Sequence, residues 1–271
     1  MPTLSSELLD QLIEQVTASV KYKNICLDLI SNIGAQELAK RRTLKEAVKA
    51  TKNKLHQAAG AYLKGDMAYP AWLESLDAAR QSKDEVEFRS VCADILSQHA
   101  STAERLPLLP QFYATILAGL PRIQSIIDLA CGLHPVALPW MALPADVEYF
   151  AFDIYQDMVQ FLNQFLALVG VNGQAEARDI IRDCPTQPAD VAFMLKAIPC
   201  LEQIDKAAGA HLLDTIQARH LVVSFPVHTL GGRHKGMTTT YEARFRQLTA
   251  DRGWTIKRIE FKTELVFVVT K

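Results

Sequence analysis

Apolar residues recur at spacings of three and four through the first part of the chain. Leu8, Leu9, Leu12, Ile13 and Val16 follow the polar pair Ser5-Ser6, and the same period returns over residues 27–38, 44–55 and 86–96. Such spacing gathers the apolar side chains on one face of a helix, and the serines cap the first start. Ser101-Thr102-Ala103-Glu104 carries the capping-box pattern of a hydroxyl residue followed three positions later by Glu, which predicts a helix from there to Gly119. Residues 5–120 therefore read as helical throughout.

Beyond Pro121 the pattern changes to short apolar runs alternating with amphipathic stretches. Strands are predicted over 125–129, 148–152, 190–195 and 220–225, with a short one ending at Asp179. Helices are predicted between them over 154–168, 201–218 and 241–251. The runs 254–261 and 265–269 sit close together and predict an antiparallel hairpin at one sheet edge. This order defines an α/β fold of the class I, Rossmann-like kind, a mostly parallel sheet with helices on both faces. An α-helical subdomain over 1–104 precedes the sheet domain of 105–271.

Composition narrows the class. The chain has 271 residues, 49% hydrophobic and 22% charged, which excludes a disordered chain, a collagen-like fibre or a coiled coil. The uncharged stretch 129–145 is interrupted by Pro135, Pro139 and Pro144 and falls short of the ~20 apolar residues of a membrane span. No signal peptide is recognisable after Met1, so a cytoplasmic protein without a membrane partner is expected. The five cysteines are odd in number and form no C-x-x-C pair, a pattern that predicts reduced, mostly buried thiols rather than disulfides or a metal site. Net charge is −1, from 29 basic and 30 acidic residues. The balance is uneven along the chain: residues 21–64 hold ten basic against three acidic side chains, and residues 222–271 hold nine against four. Sharing one face, the two segments would form the electrostatic footprint that an RNA helix requires.

Candidate chemistry gathers where ligands bind in doubly wound sheets, outside the carboxyl ends of the strands. Asp128-Leu129-Ala130-Cys131-Gly132 follows the first strand, and its glycine lets the backbone approach a ligand. Asp153 ends the second strand, where an acid accepts both hydroxyls of a ribose. Asp179 with Ile180 ends the third, suited to the edge and face of an adenine. One glycine is not the G-x-G-x-x-G of a pyrophosphate site. An adenosyl ligand without phosphates fits better, and S-adenosylmethionine is the obvious one. Taken one at a time, each acid is better explained as a turn residue; their order and spacing together carry the reading.

Several blocks resemble the aminoglycoside-resistance 16S rRNA (guanine-N7) methyltransferases. They are Lys21-Tyr22-Lys23, Lys54-Leu55-His56 with Gly60-Ala61-Tyr62, His99-Ala100-Ser101-Thr102 with Glu104-Arg105-Leu106, and the Asp128 to Leu133 loop. Further on come Leu195-Lys196, Pro199-Cys200-Leu201-Glu202, Ser224-Phe225-Pro226, Leu230-Gly231-Gly232-Arg233 and Lys235-Gly236-Met237. The resemblance implies methylation of a decoding-site guanine, number 1405 in standard 16S numbering, within the 30S subunit. It implies resistance to 4,6-disubstituted deoxystreptamine drugs, S-adenosylhomocysteine as the by-product, and a monomer. It further implies that Arg105 pairs with the methionyl carboxylate, that Ala130 and Gly132 meet the methionine moiety, that Asp153 holds the ribose, and that Asp179 and Ile180 hold the adenine. Ile154 and Leu195 belong to the same cofactor set, while Lys196, Glu202, Arg233 and Lys235 position the target. His134 stands where the family usually has Asn, His228 departs within the Ser224-Phe225-Pro226 block, and Ala103 replaces a charged residue.

The chemistry is consistent with that reading. Guanine N7 has an in-plane lone pair and no proton, so attack on a sulfonium methyl needs alignment rather than a base. A target in a paired helix must be flipped out and stacked. The exocyclic-amine alternative uses an Asp or Asn-Pro-Pro-aromatic turn after the fourth strand, where this chain has Leu195-Lys196-Ala197-Ile198-Pro199-Cys200. Cys200 keeps a cytosine-C5 reaction on another RNA position open, since that reaction needs a thiolate nucleophile; its plain alternative is a small buried residue at a helix start. A noncatalytic ribosome-binding protein of the same fold is the third reading. Glu202 in a first helical turn is equally explained by the helix dipole, His56 and His99 by packing, and residues 231–236 by a basic surface loop.

Overall fold

The computed structural model describes residues 4–60, 62–65, 67–227 and 237–271. The N-terminal part consists of α1 (Leu4–Thr17), α2 (Leu27–Leu38), α3 (Leu44–Leu55), α4 (Tyr69–Ser82) and α5 (Glu85–Leu96). Local chemistry sets these boundaries. The Thr43 hydroxyl accepts from the Glu46 amide at the start of α3, and the Asp84 carboxylate accepts from the Val86 and Glu87 amides at the start of α5. Each satisfies helical N–H groups that have no partner within their own helix.

The single helix expected from Ser101 to Gly119 is instead three pieces: α6 (Ala100–Ala103), a 3-10 turn (Leu106–Leu108) and α7 (Leu109–Ile116). Pro107 and Pro110 offer no backbone N–H and crowd the preceding turn, so a continuous helix cannot pass them. Nor does the capping box form. The Thr102 hydroxyl donates back to the Leu96 carbonyl at 2.6 Å, and the Glu104 carboxylate reaches away to Lys196.

Seven strands follow: β1 (Ser125–Leu129), β2 (Glu148–Asp153), β3 (Asn172–Ala177), β4 (Ala189–Leu195), β5 (Ala218–Pro226), β6 (Thr255–Glu260) and β7 (Glu264–Thr270). Their order is β3-β2-β1-β4-β5-β7-β6. The first five run parallel, β7 is antiparallel to β5, and β6 closes the edge as a hairpin with β7. The order therefore reverses between β1 and β4, which opens a crevice at their carboxyl ends. Strand β3 stops two residues before Asp179, placing that acid in the following turn.

Four more helices pack on the sheet: α8 (Gln156–Val169), α9 (Ile198–Ile204), α10 (Ala208–Thr215) and α11 (Met237–Thr249). The predicted helix over 201–218 is divided into α9 and α10. Asp205 leaves helical geometry, its carboxylate accepts from the Ala207 amide at 2.9 Å, and Ala218 already belongs to β5.

One buried cluster joins the N-terminal helices to a sheet face through residues such as Ile33, Leu76, Phe161, Tyr149 and Phe193. A second fills the opposite face with Ile127, Met194, Leu212, Val223 and Phe267. Four of the cysteines are buried and all five are free thiols. Among the described residues no helix is long and apolar enough to cross a membrane.

Candidate functional site

The loop after β1 makes two close approaches to left-handed backbone geometry, with φ +50° at Ala130 and +52° at Gly132. It is tied to the end of β2, because the Cys131 amide donates to the Phe152 carbonyl at 3.0 Å and the Gly132 amide to Asp153 Oδ2 at 2.8 Å. A Cβ on Gly132 would lie 2.9 Å from the His99 ring, so this position needs glycine for space as well as for φ. The other Asp153 oxygen accepts from the Ile154 amide at 2.7 Å. Burial raises the Asp153 carboxyl above the ordinary value, while these amide bonds pull the other way.

A cleft opens over this loop, lined by Ala130, Asp153, Ile154, Asp179, Ile180, Leu195 and Lys196. Seven of the predicted site residues are thus brought together. The structure adds Leu29 of α2 and Phe152 to the same wall. Asp179 is buried, with Oδ2 accepting from the Asn32 amide at 2.8 Å and Oδ1 from the Ile181 amide at 3.1 Å. A carboxylate held by backbone amides, a second acid beside an apolar face, and a loop without room for a Cβ are what an adenosyl group needs.

The cleft is also lined by His99, Ser101, Tyr62, Lys196 and Cys200. Lys196 is buried and holds φ +59°. Its ammonium donates to Glu104 at 2.6 Å and to the Ser101 carbonyl at 3.3 Å, and lies 3.7 Å from Glu264. Arg105 is not in the cleft lining. Its guanidinium makes two hydrogen bonds to Glu264, at 3.0 and 2.7 Å, and stacks over Phe112. The Ser224 hydroxyl donates to the same carboxylate. Arg105 and Lys196 together hold Glu264 below the usual carboxylate range despite complete burial. Nothing in the alternation of β7 marks Glu264 as a junction. It is a charged residue at the first position of an otherwise apolar strand, and that contrast was the available signal.

Neutral groups complete this part of the lining. Burial, reinforced by Arg105 and Lys196, lowers His99 to about 4, so the imidazole is uncharged near neutrality, and it stacks on Tyr62 at 6.1 Å. The Cys200 thiol donates to the Tyr62 hydroxyl at 3.1 Å, and burial raises its pKa. A nucleophilic cysteine requires the opposite shift. Tyr62 belongs to a block that resembles the family, yet its sequence context does not place it beside Cys200; the fold does.

The remaining predicted residues lie elsewhere. Glu202 pairs with Arg244 of α11 at 2.6 Å and is absent from the cleft lining. Arg233 and Lys235, with His228, lie outside the described residues. His134 sits within the core, its Nδ1 2.7 Å from Asp128 Oδ2, where the Tyr149 hydroxyl also donates at 2.8 Å. His56 is at the surface with Lys21 2.8 Å from its Nδ1. Of the C-terminal basic residues, Arg244, Arg246, Arg252 and Arg258 are taken up in ion pairs with Glu202, Glu242, Asp214 and Glu260. Counting by segment therefore overstates the free charge there. Lys40, Arg42 and Lys49, by contrast, line a surface depression beside α3.

The sheet order and strand-end crevice define a class I methyltransferase fold. A profile of the family described as Ribosomal RNA methyltransferase (FmrO) matches residues 18–268, and the chain belongs to that family. It is 37% identical over 268 residues to the 16S rRNA (guanine(1405)-N(7))-methyltransferase of Frankia casuarinae, covering 98% of this chain and 94% of that one. It is 31% identical to the enzyme of the same name from Serratia marcescens, covering 94% and 96%. Among solved structures it superposes on the 16S rRNA methyltransferase RmtF in complex with S-adenosyl-L-homocysteine, with TM-score 0.78, 29% identity, and 100% and 99% of the chains covered.

Proposed function

We propose that this protein methylates N7 of guanine 1405 in 16S rRNA within the assembled 30S subunit, using S-adenosylmethionine, and so protects ribosomes from 4,6-disubstituted deoxystreptamine aminoglycosides. The observation that carries the reading is the cleft itself, which gathers acids suited to an adenosyl group together with neutral or internally paired groups. S-adenosylmethionine supplies an electrophilic methyl on a sulfonium, and N7 has no proton to give up, so no side chain has to act as a base. Asp153 receives the ribose hydroxyls on a carboxylate already oriented by two backbone amides. Asp179 and Ile180 take the edge and face of the adenine, with Ala130, Ile154 and Leu195 closing the walls. Arg105, which the resemblance gives to the methionyl carboxylate, is buried against Glu264 outside the cleft lining, and we assign it a supporting role through that carboxylate, which also faces Lys196. Lys196, Glu202, Arg233 and Lys235 are assigned to positioning the target, as the resemblance implies.

The helices of 1–104 dock on the ribosome through the basic surface near Lys40, Arg42 and Lys49. The enzyme works as a cytoplasmic monomer. Incubation of 30S subunits with protein and S-adenosylmethionine, followed by borohydride and aniline cleavage and primer extension, stops at guanine 1405 if the reading is right. A stop at another nucleotide, or none, refutes it.

A further inference from the structure

The adenine end of the cleft is built from two distant parts of the chain. Leu29 lines the cleft and Asn32, one helical turn further along α2, donates from Nδ2 to Asp179 Oδ2 at 2.8 Å. Helix α2 is fastened to the sheet domain just before these residues. The Cys26 amide donates to the Ile154 carbonyl at 2.8 Å, and the Gln156 amide donates to the Asn24 carbonyl at 2.7 Å. Ile25 pairs with Tyr155 as an isolated antiparallel bridge. The α2 segment is therefore anchored at the residue that follows Asp153, and from there it reaches across to Asp179.

We propose that Asn32 is a positioning residue for cofactor recognition, fixing the Asp179 carboxylate so that it selects the 6-amino group of the adenine. This rests on the assignment of Asp179 to the adenine edge. Asp179 is clamped from two sides, by Asn32 on Oδ2 and by the Ile181 amide on Oδ1, and each oxygen keeps a second lone pair for a ligand donor. A carboxylate held in this way accepts from an amino group and opposes a ring carbonyl in the same place. Without Asn32 one oxygen loses its fixed donor in a buried site, and the carboxylate is free to turn. Helix α2 thereby contributes to cofactor choice as well as to the helical subdomain.

The test uses the full-length protein and compares calorimetric affinities for S-adenosylhomocysteine and its deaminated analogue S-inosylhomocysteine. Asn32→Leu is expected to weaken the adenosyl ligand by about fivefold, the worth of one hydrogen bond, and to narrow the preference over the inosyl ligand. Asn32→Ser, smaller and polar, decides the matter if Asn32→Leu does not fold. Asp179→Asn, whose amide can present either edge, narrows the same preference. If Asp179→Asn leaves the ratio unchanged, the adenine assignment itself fails. If Asp179→Asn narrows it while the Asn32 variants weaken both ligands equally or neither, Asn32 is only a structural contact and the proposal is overturned.

Discussion

The proximity of Gly132 to His99 lets the space requirement of the cofactor loop be separated from its backbone requirement. Gly132→Ala introduces a Cβ 2.9 Å from both Cε1 and Nε2 of the His99 ring and 3.3 Å from Nδ1, at a position with φ +52°. The left-handed backbone alone costs about 1 kcal/mol for a residue with a Cβ. Crowding the ring adds about 1–2 kcal/mol, because His99 is stacked on Tyr62 and packed against the Gly132 loop, so moving the ring disturbs that stack. The same movement shifts the Gly132 amide that holds Asp153, so affinity for S-adenosylhomocysteine falls together with stability.

The decisive measurement is a double-mutant cycle with His99→Ala, by urea denaturation and calorimetry. With the ring gone, Gly132→Ala should retain only its backbone cost, giving a coupling of about 1–2 kcal/mol that favours the double variant over the sum of the singles. Cofactor affinity should recover in parallel. If the two changes add to within about 0.5 kcal/mol, the steric argument is wrong and φ accounts for the whole effect.

Further outcomes follow from the buried charges. Glu264→Gln leaves Arg105 and Lys196 without their shared counter-charge and should lower stability by about 3 kcal/mol in urea denaturation; a decrease below about 1 kcal/mol would mean the cluster is solvated. His99 has a folded pKa lowered to about 4 against an unfolded value of 6.5, so its contribution is fully present above pH 6.5 and is lost as pH falls toward 4. Stability curves of wild type and His99→Gln should converge over that interval, and parallel curves would contradict the neutral assignment. Cys200→Ala should leave N7 methylation of 30S subunits nearly unchanged, since the thiol is protonated and bonded to Tyr62; loss of activity without loss of folding would restore a covalent route. Asp153→Ala should abolish measurable S-adenosylhomocysteine binding. In the wild type the affinity should fall with pH from above the ordinary carboxylate range of about 4, because the folded pKa is raised and the ligand favours the ionised form.

How far the site could be read beforehand depended on whether each residue acts through its neighbours in sequence. Helices α2 and α3 and strand β1 fall on the boundaries their patterns predict: the two helices bury one apolar face each, Thr43 caps α3, and β1 is a short apolar run buried on both sides. Asp153 was legible for the same reason: a strand end projects its last side chain into the crevice whatever the rest of the fold does. The capping box at Ser101 misled because a longer-range partner was available. Lys196 takes the Glu104 carboxylate at 2.6 Å, and two prolines had already made a continuous helix impossible.

Asn32, Tyr62 and Glu264 belong to a different category. Each meets its partner across a separation of 147, 138 or 159 residues, and no local pattern encodes such a meeting. The net charge illustrates the point at the scale of the whole chain. The arginines that made the C-terminal segment basic are largely neutralised in place, Arg244 and Arg252 by acids from other segments. Lys40, Arg42, Lys45 and Lys49, by contrast, have no ion-pair partner among the described residues and are exposed near α3. Among the described residues, one cluster of positive charge free of ion pairs therefore lies around the start of α3. Removing one basic side chain that meets a phosphate should reduce the salt dependence of binding by about one counterion. Single alanine substitutions at Lys40, Arg42 or Lys49 should accordingly flatten the salt slope of 30S binding while cofactor affinity stays unchanged, whereas the same measurement on Arg246→Ala should show no change in slope.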